Sequence, residues 1–225
     1  MVRSPPEPVS DKQKVFIMNY IVPVLICLFA YFFGAVPFAL IIGKLHGVDI
    51  RKAGSGNVGA TNVTRTVGPL QGKICFVLDL LKGAIPVLAA QIFLPACPVM
   101  AIIAGAVAIL GHMFPVYLKF KGGKGVSTGA GAALALAPLP LLCALILWVV
   151  LFLITRYVSV ASIAAAVALP VFAFVFRLAG IGSVAAKSIP VLIFFCAIAA
   201  VTVYRHRSNI KRLLDGTENR FEKKH

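Results

Sequence analysis

Long runs of apolar residues, broken by three short polar stretches, set the pattern of this chain. The runs that are free or nearly free of charge cover Tyr20–Ile42, Ile74–Leu94, Cys97–Leu118, Val126–Thr155, Tyr157–Phe176 and Ser188–Tyr204. Each is close to or above the roughly 20 apolar residues that a helix needs to cross a hydrocarbon core about 30 Å thick. The fourth run is too long for one crossing, at about 45 Å as a single helix, and it carries Pro138 and Pro140 in its middle. Dividing it there predicts a short helix from about Val126 to Ala137 and an ordinary one after it, giving seven helices in all.

The charges choose between six spans and seven. An unbroken fourth span distributes the loop lysines and arginines almost evenly, 11 on one side and 10 on the other. Seven spans with the N-terminus outside place 16 inside and 5 outside, with only Lys82 within a span, as the excess of basic residues on cytoplasmic loops requires. The expected fold is therefore an all-α polytopic membrane protein of seven transmembrane helices, the fourth short, with a periplasmic N-terminus and a cytoplasmic C-terminus. Residues 1–18 read as an extension, 19–205 as the membrane domain, and 206–225 as a cytoplasmic tail whose first residues join the site.

Composition agrees with that class. The chain has 225 residues, 60% hydrophobic and only 13% charged, whereas soluble domains are near one quarter charged. A net charge of +15 follows from basic inside loops and does not call for nucleic acid. The five cysteines lie scattered in apolar stretches without C-x-x-C spacing, so neither a disulfide framework nor a zinc site is signalled.

The polar stretches carry the chemistry. They are Gly54-Ser55-Gly56-Asn57-Val58-Gly59-Ala60-Thr61-Asn62, Phe120-Lys121-Gly122-Gly123-Lys124-Gly125, and Tyr204-Arg205-His206-Arg207-Ser208-Asn209. Each combines small residues that expose backbone N–H groups with hydroxyls, amides and nearby cations, the groups that bind phosphate. The seven-span arrangement puts all three on the cytoplasmic face. The link from about Gly43 to Lys73 reads as a long irregular loop, and such loops are usually functional or disordered. The helix after Gly125 would aim its N-terminal N–H groups at whatever the glycines hold. Ile210, Leu213 and Leu214 follow at helical spacing, as in an amphipathic helix lying on anionic lipid. In the second span, Asp79 and Lys82 are one turn apart and can pair.

Several chemistries are disfavoured. Gly123-Lys124 is followed by Gly125 and preceded by Leu118 where a nucleotide-binding P-loop has glycine. Ser55 lacks a G-x-S-x-G elbow because position 53 is Ala53. There is no H-E-x-x-H zinc signature, and Arg51, Tyr117 and Lys211 stand where an H-x4-D acyltransferase would have its aspartate.

Those stretches, with Arg65, with Gly111-His112-Met113-Phe114-Pro115 and with Arg212-Leu213, resemble the PlsY-type bacterial glycerol-3-phosphate acyltransferases, in order, from the first span to about Arg220. The resemblance implies an inner-membrane enzyme that moves a fatty acyl group from acyl phosphate to the sn-1 hydroxyl of glycerol 3-phosphate, giving lysophosphatidic acid and phosphate. It implies no cofactor and no metal, contact with membrane lipid, and as a candidate partner the soluble enzyme that makes acyl phosphate. Carried over, Ser55 matches a serine that hydrogen-bonds at the reacting centre. Arg65 and Lys124 match cations that hold substrate phosphate, and His206 and Asn209 match polar groups at the acceptor site. Asn57, Thr61, Asn62, His112, Gly122 and Gly123 match motif positions that shape the loops or touch substrate.

An acyl phosphate already has a good leaving group, so gathering two anions and stabilising the developing oxyanion is most of the task. No carboxylate pair lies near the polar stretches, which favours the departing phosphate as acceptor of the hydroxyl proton. An acyl-Ser55 intermediate, with His206 approaching in the fold, is the competing route. A transporter of phosphate-bearing solutes is the alternative from another class, since broken helices and glycine-flanked anion sites also serve transport.

Overall fold

The computed structural model describes residues 10–183 and 186–221, and among these the chain is helical with no strand. The first nine residues of the expected extension lie outside the described residues. Helix α1 (Asp11–Phe16) runs through a π-helical turn into α2 (Val22–Gly34), and α3 (Phe38–Leu45) follows a break at Val36 and Pro37. Next come α4 (Ala60–Thr66), α5 (Pro69–Phe93) and α6 (Val99–Met113). After a 3-10 turn at Val116–Leu118 come α7 (Val126–Leu136), α8 (Pro138–Thr155), α9 (Val158–Leu178), α10 (Ile189–Arg205) and α11 (Arg207–Leu214). Helices α5, α8 and α10 carry proline in their first turn, where its missing N–H would have had no intrahelical partner; Pro23 of α2 instead follows directly on the π-helical turn.

Five stretches are long and apolar enough to cross a membrane: Ile17–Leu45, Pro69–Phe93, Val99–Leu118, Pro138–Thr155 and Val158–Leu178. Helices α10 and α11, bent by 53° at His206, make a sixth if taken together. The eleven residues of α7 span only about 16 Å. Helix α7 stops where the prolines predicted, because Ala137, forced away from helical dihedrals by the following ring, sits at φ −152° and ψ 81°.

Small residues let the helices approach backbone to backbone. A Cβ at Gly83 or Gly131 would overlap the carbonyls of Thr128 and Leu80 across the α5–α7 contact. One at Gly34 or Gly111 would overlap those of Ala108 and Tyr31 across α2–α6. In lipid, where apolar surface gains little by leaving its surroundings, such close packing is a main source of helix association. The core is correspondingly rich in alanine, with Ala30, Ala104, Ala108, Ala132 and Ala133 fully buried. Large apolar side chains such as Leu25, Ile92, Leu153 and Ile193 face outward, which in water would be a wide exposed patch.

Asp79 and Lys82 pair at 2.8 Å inside the bundle, both almost fully buried. Lys82 also donates to the Val36 carbonyl at 2.8 Å, an acceptor left without its helical partner by the break at Pro37. Asp79 Oδ1 lies 3.8 Å from His112 Nδ1 on α6. The pair thus joins the α2–α3 break to the end of α6.

The Gly43–Lys73 link is more ordered than its composition predicts, since it holds α4 and the start of α5. Tertiary packing overrides weak propensity there. Val63 is fully buried, Thr64 and Thr66 hydroxyls bond back to the carbonyls of Ala60 and Asn62, and Gly72 of α5 leaves room for Thr64.

Candidate functional site

The first polar stretch is organised around Asn62, in the first turn of α4 and fully buried. Its Nδ2 donates to the carbonyls of Ile50 at 2.8 Å and Ala53 at 3.1 Å, and its Oδ1 accepts the Ser55 N–H at 2.8 Å. Gly54, at φ +60°, is the only residue type that fits above it, because a Cβ there would overlap Asn62 Oδ1. Ser55 is exposed at the tip of this braced loop, with Asn57 and Thr61 half-buried behind it. Replacing Asn62 by alanine strands three backbone groups. We expect a loss of roughly 1–3 kcal/mol, read as a fall of several degrees in thermal unfolding in detergent, together with loss of turnover as Ser55 loses its support.

The second stretch folds back on the end of α6. Gly122 N–H donates to the Met113 carbonyl at 3.1 Å and Gly123 N–H to that of His112 at 3.2 Å. These two N–H groups are therefore engaged by α6 and not presented as an anion cradle, and the glycines serve close approach. A Cβ at Gly122 would overlap the His112 carbonyl, and one at Gly123 the His112 ring, with the Val58 carbonyl 2.6 Å away. Their own carbonyls accept the Arg205 guanidinium, at 2.6 Å for Gly123 and 3.3 Å for Gly122. Lys124 follows, then Gly125 at φ +84°, which turns the chain into α7.

The third stretch closes over the second. His206, buried at the α10–α11 bend, donates Nδ1–H to the Thr202 carbonyl at 2.7 Å. Asn209 accepts a hydrogen bond from Lys124 on its Oδ1 and donates from Nδ2 to Glu218 Oε1 at 2.7 Å. Glu218 is buried and also accepts from Ser159 of α9 and from Arg212 of α11, each at 2.7 Å. Arg65 reaches the same neighbourhood from α4, donating to the Asn219 carbonyl at 3.1 Å.

Electrostatics mark this centre. Burial pushes the Lys124 ammonium down to about 8; Glu218 pulls the other way, and Arg212, Arg65 and Arg205 add to the fall. Burial works upward on Glu218, but its hydrogen bonds from Asn209, Ser159 and Arg212 outweigh it and hold the carboxyl below its ordinary range. Among the described residues, Lys124, Arg65 and Arg212 thus gather around one carboxylate, with Arg205 on the far side of the Lys124 loop at the Gly122 and Gly123 carbonyls. Such an excess of half-buried cations favours an anionic ligand.

The three stretches meet at one end of the bundle, where α6, α8 and α10 finish and α5, α7 and α9 begin. Lys124 and Asn209 touch, and Arg65 joins them through the tail. His112 lies beneath Gly123, and a small cleft there is lined by Val58, Asp79, Lys82, His112, Gly122 and Gly123. Among the described residues, no hydrogen bond joins Ser55 to His206 or to Lys124. No group of three His, Cys, Asp or Glu that could hold a metal occurs among them either. Sequence reasoning missed Glu218, Ser159 and Arg205. Glu218 is one of only seven acidic residues, which singles it out, but only the fold brings Ser159 to it from 59 positions away.

A helical bundle with a lipid-compatible exterior and basic groups gathered at one end defines an integral membrane protein with a basic site at that end. The chain belongs to the glycerol-3-phosphate acyltransferase family, whose profile matches residues 24–216. It is 45% identical over 194 residues to the glycerol-3-phosphate acyltransferase of Aquifex aeolicus, covering 86% of this chain and 96% of that one. It is 46% identical over 193 residues to that of Trichlorobacter lovleyi, covering 86% and 94%. The crystal structure of PlsY, an integral membrane glycerol 3-phosphate acyltransferase in its glycerol 3-phosphate form, superimposes with a TM-score of 0.81 at 43% identity, covering 89% of this chain and 96% of that one. The lysophosphatidic acid form gives 0.79 at 42% identity, covering 89% and 95%.

Proposed function

We propose that this protein transfers a fatty acyl group from acyl phosphate to the sn-1 hydroxyl of glycerol 3-phosphate, releasing lysophosphatidic acid and phosphate. The observation that carries this reading is Lys124, held on Asn209 near Arg65, Arg205 and Arg212 with, among the described residues, one carboxylate beside it. Two substrates that each carry a phosphate supply the missing negative charge. In the reaction the acceptor oxygen forms a bond to the acyl carbon and the carbon–oxygen bond to phosphate breaks. The hydroxyl proton leaves with the phosphate, which needs no protein base. Lys124 and the α7 N-terminus stabilise the developing charge, Arg65 grips phosphate, and Ser55 hydrogen-bonds at the reacting centre. His206 and Asn209 orient the acceptor. Asn57, Thr61, Asn62, His112, Gly122 and Gly123 shape the two loops that hold these groups.

In this reading the chain has seven spans, α7 being a short one that meets α8 at Pro138. The N-terminus is periplasmic, and the site opens to the cytoplasm of the inner membrane. Residues 19–205 form the membrane domain, 1–18 precede it, and 206–225 are the tail. The soluble enzyme that makes acyl phosphate is the partner from which the site would receive its donor.

Purified protein in detergent should release phosphate from acyl phosphate only when glycerol 3-phosphate is added, and mass spectrometry after one turnover without acceptor should find no acyl-enzyme. Release that ignores the acceptor would overturn the assignment. Cysteines engineered at positions 55 and 124 should both react with a membrane-impermeant reagent only from the cytoplasmic side; opposite sidedness would separate the loops and exclude a shared site.

A further inference from the structure

Beyond α11 the chain turns back as a strap whose last described residues cross the cytoplasmic corner between α8 and α9. Its anchors are unlike those of a free tail. Phe221 N–H donates to the Arg156 carbonyl at 3.0 Å, Arg220 donates to that of Thr155 at 3.2 Å, and the Phe221 ring meets Phe152 edge-on at 5.7 Å. Glu218 fixes the other end of the strap on Ser159 and Arg212. The strap then faces Arg65, which donates to the Asn219 carbonyl and lays its guanidinium over the Phe221 ring, 4.8 Å from the centroid. These contacts join positions more than 150 apart in the chain, and 217–221 lie beyond the 24–216 matched by the family.

We propose that Phe221 is a positioning residue for Arg65, the strap holding the guanidinium by one aromatic face and one carbonyl so that it is aimed before substrate phosphate arrives. This rests on the reading that Arg65 grips that phosphate. An arginine side chain has many rotamers, and ordering it on binding would weaken affinity. A guanidinium stacked on an aromatic face keeps its N–H edge free for bidentate contact with phosphate. The ring is itself fixed, by Phe152 beneath and by its backbone bond to Arg156, so the alignment is imposed by the α8–α9 corner.

The test uses the full-length protein in detergent, with each substrate varied in turn. Phe221→Ala should raise the KM of one substrate about tenfold with kcat within about twofold, because a lost ground-state contact acts on binding. Arg65→Lys should raise the KM of that same substrate, and adding Phe221→Ala to it should cost less than about twofold more, since the two act as one unit. Phe221→Trp should restore the wild-type KM, whereas Phe221→Leu, which keeps apolar bulk without a π face, should not. The proposal is overturned if Leu serves as well as Phe, if the two variants raise the KM of different substrates, or if Phe221→Ala loses only active protein and thermal stability with KM unchanged. Near-normal turnover in Arg65→Ala would instead remove the underlying reading of Arg65; loss there with unchanged kinetics in Phe221→Ala would remove only the strap's role.

Discussion

Lys124→Ala should lower acceptor-dependent phosphate release by about 10³-fold, equivalent to about 4 kcal/mol of lost transition-state stabilisation. The side chain is half-buried and hydrogen-bonded to Asn209, so water screens its charge less than it would at the surface. The protein should still fold, because removing a desolvated ammonium relieves a cost as well as breaking a bond, and thermal unfolding should move by only a few degrees. Lys124→Arg should recover little activity, since a planar guanidinium cannot replace a compact ammonium on Asn209. The same lysine should set the alkaline limit. With its value lowered to about 8, it loses its proton as pH rises through that point, so kcat/KM should fall about tenfold per pH unit above it, as expected for an essential cation in the free enzyme. A flat profile to pH 10, or near-normal turnover in Lys124→Ala, would remove Lys124 from the chemistry.

Gly123→Ala should be nearly as damaging, with kcat/KM down by roughly 10²-fold, although the residue carries no functional group. A Cβ there would overlap the His112 ring and come within 2.6 Å of the Val58 carbonyl. Neither neighbour can yield easily. The imidazole is buried against Asp79, and the carbonyl is backbone of the first polar stretch. The loop must therefore move, carrying Lys124 with it and loosening the Arg205 bond to the Gly123 carbonyl. Displacements of about 1 Å in a catalytic group are enough for losses of this size. Gly129→Ala, one turn into α7, is the matched control. Its Cβ would find only ordinary contacts at 3.6 and 3.8 Å, and activity should stay within about twofold. Equal kinetics for the two variants would show that close approach at Gly123 has no part in the site.

Much of the molecule is legible in the sequence because its strongest signals are local. Apolar runs mark the helices, Pro138 marks the break before α8, and the Asp79–Lys82 spacing gives the buried pair. The glycines of the second stretch point to a tight place, although the N–H groups of Gly122 and Gly123 bind α6 carbonyls. The helix α4 is not legible, since Thr64 and Thr66 are poor helix formers and hold it through back-bonds and burial.

What the sequence by itself determines is the set of membrane-compatible helices, the order of the polar stretches and the excess of positive charge among them. These depend on side-chain type and spacing, which are written along the chain. Only the tertiary structure decides that Asn62 braces Ser55 from within, that Glu218 joins Asn209 to Ser159, and that the strap places Phe221 under Arg65. Those partners lie between 7 and more than 150 positions apart. A hydrogen bond or a cation over a ring depends on where the packed helices bring two groups together, and that position is a property of the whole fold.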